Sequence, residues 1–287
     1  MMQASLTTAG GRTLTYQYDA ASNRTRVTHP DGVYFTYGYD ALNRVTAMNE
    51  NGVVALATYA YDDLSRRASV TLGNGTVVSY SYEPDSALDT LTNNLAATAQ
   101  DVTFTFDYNR LNQITSNVTS NSAYAWTGHY NQTVNYQNNG LNQVTQVGAK
   151  AISHDANGNL TGDGVWAYSY DTENRLITAV GSGVSAAYAY DGLGRRVSKT
   201  GTGVAATWYL TDGDAMVAEY AAATGTTPLR RYVHGPGVDE PIVVYDGGGT
   251  ASKRLRGLTR PHWGHGPARS TGTGKARSSP RPIYRAP

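Results

Sequence analysis

Apolar and polar positions alternate along most of the chain, and a turn signal cuts the alternation every few residues. Thr13-Leu14-Thr15-Tyr16-Gln17-Tyr18 is one such run, and Val77-Val78-Ser79-Tyr80-Ser81-Tyr82 is another. Period two places every second side chain on one face of a strand. Asp31-Gly32, Asn51-Gly52 and Asn74-Gly75 close such runs, and Asn-Gly or Asp-Gly between alternating segments is the strongest short hairpin signal. The pattern predicts many short strands joined by tight turns.

The runs repeat. Tyr18-Asp19 is followed by Ala20-Ala21-Ser22-Asn23-Arg24, Tyr39-Asp40 by Ala41-Leu42-Asn43-Arg44, and Tyr61-Asp62 by Asp63-Leu64-Ser65-Arg66. Tyr170-Asp171 leads to Asn174-Arg175, and Tyr190-Asp191 leads to Gly194-Arg195. Phe106-Asp107 and His154-Asp155 read as variants, Tyr82-Glu83 and Tyr136-Gln137 as degenerate copies. Starts at 18, 39, 61, 82, 106, 136, 154, 170 and 190 are 16 to 30 residues apart.

One unit is physically legible. An aromatic pair two residues apart, such as Tyr37 and Tyr39, puts both rings on one strand face. The following Asp can accept a backbone N–H two residues on and close an Asx-turn. Asn or Gly then takes the position that needs φ > 0. Each unit is thus a hairpin, and a lone hairpin is marginal in water, so units must pair side by side. About ten units give about 20 strands, a ribbon about 95 Å wide at ~4.8 Å per strand. Closed into a ring it would be about 30 Å across, so the expectation is a coiled ribbon around a cavity.

Composition fits this reading, with 22 Tyr against 3 Phe and 4 Trp, and 31 Gly. Charge divides the chain. Residues 1–252 hold 14 basic and all 22 acidic residues, and residues 253–287 hold 9 basic and no acidic ones. The chain therefore reads as repeats over 1–246 and a low-complexity basic Arg/Pro/Gly tail over 247–287, expected to be disordered. The absence of cysteine excludes a disulfide framework, a thiolate zinc site and a thiol nucleophile. No apolar run approaches the ~18 residues of a membrane span, and Met1 to Gly11 shows no Sec-type leader.

These residues resemble the YD-repeat or RHS family, which includes rearrangement-hotspot proteins, B/C components of insecticidal toxin complexes and the teneurin shell. The segment His234-Gly235-Pro236-Gly237-Val238-Asp239-Glu240-Pro241 is similar to the family's core boundary. The resemblance implies an all-β fold, tandem hairpins forming a continuous curled sheet, or partial β-shell. It implies encapsulation or delivery of a C-terminal toxin in competition between bacteria, and export by a specialised secretion system. The implied partners are the remainder of a larger shell or an attached toxin. The first repeat begins almost at Met1, so a C-terminal portion of a larger protein is expected. The tail reads as out of frame or recombined. The family's Asp-Pro-x-Gly self-cleavage motif is absent, so self-cleavage is not carried over.

Candidate chemistry is sparse. Asp19, Asp40, Asp62, Asp107, Asp171 and Asp191 recur with the turn, so each is expected to close its own turn rather than form a catalytic pair. The Arg residues after the turn, Arg24, Arg44, Arg66, Arg175 and Arg195, can pair with Asp or stack on Tyr. Asp155-Ala156-Asn157-Gly158-Asn159 opens like a calcium loop but lacks the Gly and Glu that such a loop needs. No cofactor or metal site and no catalytic constellation is expected, which reads as a non-enzymatic scaffold. Two other readings stand beside it. Rows of exposed Tyr such as Tyr37 and Tyr39 would suit cell-surface carbohydrate, and the basic tail would suit a small effector touching nucleic acid or membrane.

Overall fold

Nearly every alternating run becomes a strand, and among the described residues each strand pairs antiparallel with at least one of its neighbours in sequence. The computed structural model describes residues 2–255 except 9, 97, 127, 129, 238, 239 and 252. The basic residues beyond 255, with His262 and His265, lie outside the described residues, as do Val238 and Asp239.

The first sheet has 11 strands: β1 (Met2–Thr7), β2 (Thr13–Tyr18), β3 (Arg24–Thr28), β4 (Tyr34–Tyr39), β5 (Val45–Glu50), β6 (Val54–Tyr61), β7 (Arg67–Leu72), β8 (Val77–Tyr82), β9 (Leu88–Asn94), β10 (Val102–Tyr108) and β11 (Ile114–Thr119). A three-stranded sheet follows: β12 (Tyr136–Asn138), β13 (Val144–Val147) and β14 (Lys150–Ala151). The last sheet again has 11: β15 (Ser153–His154), β16 (Leu160–Gly162), β17 (Ala167–Tyr170), β18 (Leu176–Gly181), β19 (Val184–Tyr190), β20 (Arg196–Thr202), β21 (Thr207–Asp212), β22 (Ala215–Tyr220), β23 (Arg230–His234), β24 (Pro241–Asp246) and β25 (Lys253–Leu255). A single 3-10 turn, Ser122–Tyr124, is the only helical element among the described residues. No described helix is long and apolar enough to cross a membrane.

Two details differ from the sequence reading. The ribbon is not one unbroken ladder: it is interrupted after β11 and again after β14. The first break spans the Ser/Asn/Thr-rich stretch 120–135, where alternation fades and the repeat step is longest. The sheet also runs past the boundary placed at 246, because β25 pairs with β24 through Tyr245 and Lys253.

The core lies where the C-terminal strands fold back on the first sheet. Leu210 of β21 and Val217, Ala218 and Tyr220 of β22 pack with Leu14, Tyr16 and Val27. Val233 of β23 and Ile242, Val243 and Tyr245 of β24 pack with Phe35, Met48, Leu56, Tyr59 and Val70. These are the inward positions of the period-two pattern, such as Leu14 and Tyr16 in β2. A sheet face must bury its apolar side against another layer. In this chain the C-terminal strands supply that layer, where the sequence reading left an open space.

Candidate functional site

The repeat turn is the most regular feature. In the second unit the Asp40 N–H donates to the Arg44 carbonyl at 3.0 Å, and the Asn43 N–H donates to the Asp40 carbonyl at 3.0 Å. Asp40 Oδ1 accepts the N–H groups of Leu42 (2.9 Å) and Arg44 (3.0 Å), and Oδ2 accepts Arg44 Nε at 2.7 Å. Asn43 sits at φ 59°, where Asn is favoured over bulkier residues. Pairing then skips one residue, from Gly38–Ala47 to Tyr39–Val45, which is a bulge that increases local twist.

Asp62, Asp171 and Asp191 repeat the arrangement with Arg66, Arg175 and Arg195. At Asp19 the fifth residue is Asn23, whose side-chain amide takes the Arg role at 3.0 Å. Asp155 closes its loop with Asn159 in the same way, so this stretch is a repeat turn. Ser22, Ser65 and Ser86 also adopt positive φ, a use of Ser the sequence reading did not anticipate. The Arg44 backbone N–H, helped by the guanidinium and opposed by burial, holds the Asp40 carboxyl below its ordinary value, and the Arg175 N–H does the same for Asp171.

Phe106 and Asp107 are a correction. The turn falls two residues later, on Tyr108-Asn109-Arg110-Leu111-Asn112-Gln113, with Asn109 accepting the N–H groups of Leu111 and Gln113 and Asn112 at φ 57°. Phe106 is the buried first ring of that unit, and Asp107 is an exposed strand residue paired with Ser116. Tyr136-Gln137 shifts likewise, because the turn is closed by Asn139.

Successive units are locked by the second ring. The Tyr39 hydroxyl donates to the Arg24 carbonyl (3.0 Å), Tyr61 to Val45 (2.9 Å), Tyr82 to Arg67 (2.9 Å), Tyr108 to Leu88 (2.8 Å), Tyr170 to Leu160 (2.8 Å) and Tyr190 to Leu176 (2.8 Å). Each acceptor lies just after the preceding turn. The Arg of one turn also stacks on the ring of the next, Arg44 on Tyr61 at 4.5 Å and Arg66 on Tyr82 at 4.4 Å. The rings proposed for sugar stacking are therefore occupied. Tyr39 is bonded to a carbonyl, and Tyr37 packs into the core with its hydroxyl pushed up to about 12 by burial. Carbohydrate binding loses the surface it was argued from.

The second feature is a polar seam between the first sheet and the returning strands, which the sequence reading missed. Arg24 pairs with Asp212, Arg67 with Glu240, and Arg231 with Asp31. The buried Tyr245 hydroxyl donates to Glu50 at 2.6 Å, and Lys253 Nζ reaches the same oxygen at 3.2 Å. Arg12 donates to the carbonyls of Gly225 (2.9 Å) and Ala222 (2.6 Å) and lies over Tyr220. Arg24 and Arg67 each follow a turn by one residue more than the ladder position, which puts them on the seam side. That offset is the only local signal for them, since their partners lie 188 and 173 residues away.

The core-boundary motif belongs to this seam. The His234 Nε2–H donates to the Met216 carbonyl at 2.9 Å. Gly235 N–H donates to the Glu240 carbonyl (2.7 Å), and Gly237 N–H to its carboxylate (2.8 Å). Pro241 opens β24 opposite His234. Pro236 sits in the bend between them. Among the described residues no three His, Asp or Glu side chains cluster as metal ligands.

Comparison with known proteins agrees with this architecture. Residues 3–34, 23–52 and 39–77 match the RHS repeat family. The tRNA nuclease WapA of Bacillus subtilis (strain 168) is 30% identical over 106 residues, which is 36% of this chain and 4% of that protein. The tRNA3(Ser)-specific nuclease WapA of Bacillus spizizenii matches to the same extent. This chain thus spans a small fraction of those relatives. Two solved structures share the fold at low identity. The TcdB2–TccC3–TEV crystal structure superposes with TM-score 0.51 at 12% identity, over 83% of this chain and 17% of that one. TcdB2–TccC3 without its hypervariable C-terminal region gives 0.52 at 13%, over 82% and 16%. The repeat turn and the tyrosine lock therefore stand beside a match of residues 3–77 to the RHS repeat family and a fold shared with TcdB2–TccC3.

Proposed function

We propose that the chain is a non-enzymatic piece of shell wall that sequesters or delivers an attached C-terminal polypeptide in competition between bacteria. The carrying observation is that the described repeat-turn carboxylates Asp19, Asp40, Asp62, Asp155, Asp171 and Asp191 each close their own turn. A residue that recurs with one local bonding pattern builds the wall and leaves no distinctive pair for acid–base work. The fold shared with TcdB2–TccC3 supports a wall. The nuclease names belong to proteins of which this chain spans about 4%, so no nuclease activity is carried over.

The test appends a protease-sensitive reporter polypeptide after Pro287 of the full chain. Cleavage slower than that of the free reporter, with protection lost in denaturant, is the expected result. Equal rates in both states reject sequestration. Turnover of RNA or polysaccharide by the purified chain rejects the non-enzymatic part.

A further inference from the structure

His29 is buried at the seam. It is 5% exposed, its Nδ1 has no hydrogen-bond partner among the described residues, and its ring meets the edge of Phe35 at 5.5 Å between centroids. From β23 the fully buried Arg231 faces it, and Arg231 Nε is also unpartnered among the described residues. Asp31, on the same turn as His29, is already engaged: one oxygen accepts the Val33 N–H and the other takes Arg231. Phe35 in turn packs on Tyr245 of β24, and Glu50 is occupied by Tyr245 and Lys253. A cavity of about 350 Å³ adjoins the site. Its walls include Arg24 paired with Asp212, Asp214, and His234 bonded to the Met216 carbonyl.

We propose that His29 is an acid-sensitive latch: its neutral imidazole lets β23 and β24 stay docked on the first sheet, and its protonation releases them. A proton on His29 would set a second cation beside Arg231, whose carboxylate partner Asp31 is already engaged. Burying an unpaired charge is costly, and undocking the C-terminal strands opens the site to water through the adjoining cavity.

Burial, and then the charge of Arg231, push His29 down to about 3. The folded value lies below the free imidazole value of about 6.5. The contribution to closure is therefore intact above about 6.5 and declines as pH falls towards the folded value, by up to about tenfold in the opening equilibrium per pH unit. The turn carboxylates with lowered values respond only below the ordinary carboxylate range, and because His234 lines the same cavity, the comparison with a His29 variant is what assigns the response between pH 6.5 and 4.5 to His29.

The experiment follows amide exchange of the Pro241–Asp246 segment in the full chain across that interval, corrected for the intrinsic rate. Wild-type protection is expected to fall up to about tenfold per unit, while His29→Phe, which cannot take the proton, holds its protection. An equal acid response in His29→Phe, or none in the wild type, overturns the latch. If His29→Phe does not fold, His29→Gln is read the same way. Imidazole titration of the wild type by NMR decides independently. Protonation coincident with opening supports the latch, and a His29 resonance titrating near 6.5 with the seam still protected overturns it.

Discussion

Strands β4–β8 and strands β15–β19 are made by the same local chemistry, yet only the first set contributes to a buried apolar cluster, the second burying just Ala179 and Ala186. Both use the carboxylate-closed turn, a positive-φ residue and a tyrosine bonded to the preceding unit. In the first set Phe35, Met48, Leu56, Tyr59, Val70 and Val78 are buried. Between Phe106 and Ala179 no described residue is. The difference is the second layer: β21–β24 cover the first sheet and leave the middle strands as a single layer. Repeat chemistry fixes hairpins and their pairing, and burial needs a partner that the repeat does not encode.

The most disruptive way to test this contrast is to remove a seam group. Arg231→Met leaves Asp31 unpaired and is expected to cost about 3–5 kcal/mol of unfolding free energy. Leu56→Ala, at a site with no exposure, should cost about 2–5 kcal/mol. Val165→Ala in the exposed middle is expected to stay within about 0.5 kcal/mol. Urea unfolding of the three variants measures all of these. Comparable losses at Val165 and Leu56 would mean that the middle layer is covered in solution.

That division also marks what the sequence reveals. Turn closure by Asp40 and the same-face ring pairs depend on residues within one unit, and period and spacing display them. The offset at Phe106 has a local cause as well. Phe104-Thr105-Phe106-Asp107 mimics the Tyr-x-Tyr-Asp signature, while Asn109 disguises the turn that forms. The seam was illegible for a different reason. Asp31 and Arg231 are 200 residues apart, and neither strand carries a pattern naming its partner. An Arg inside an apolar run, as in Arg231-Tyr232-Val233, signals only that some buried acceptor must exist.

A smaller effect tests the part of the comparison in which the regions should agree. Tyr61→Phe and Tyr170→Phe each delete one hydroxyl bond to a carbonyl of the preceding unit. Each should cost about 0.5–1.5 kcal/mol, with no systematic difference between covered and uncovered strands. Thermal unfolding of the two single variants and the double variant gives the values, and additivity is expected because the sites share no partner. A loss confined to Tyr61 would make the tyrosine lock a consequence of the core rather than of the repeat.

The smallest effect concerns the turn carboxylate. In Asp171→Asn the amide oxygen can still accept the N–H groups of Glu173 and Arg175, as Asn109 and Asn139 do in their own turns. What disappears is the charge that Arg175 Nε meets at 2.7 Å. Because the folded Asp171 carboxyl lies below its ordinary value, its contribution is fully present above about pH 4 and is lost as pH falls through the folded value. The wild type should therefore be slightly more stable than Asp171→Asn at pH 7, and the two melting curves should converge near pH 2. The gap at pH 7 should also narrow in high salt, since the pair is partly exposed. A gap that persists at pH 2 would assign the effect to turn geometry, and the role of the carboxylate would then be that of any acceptor at this position.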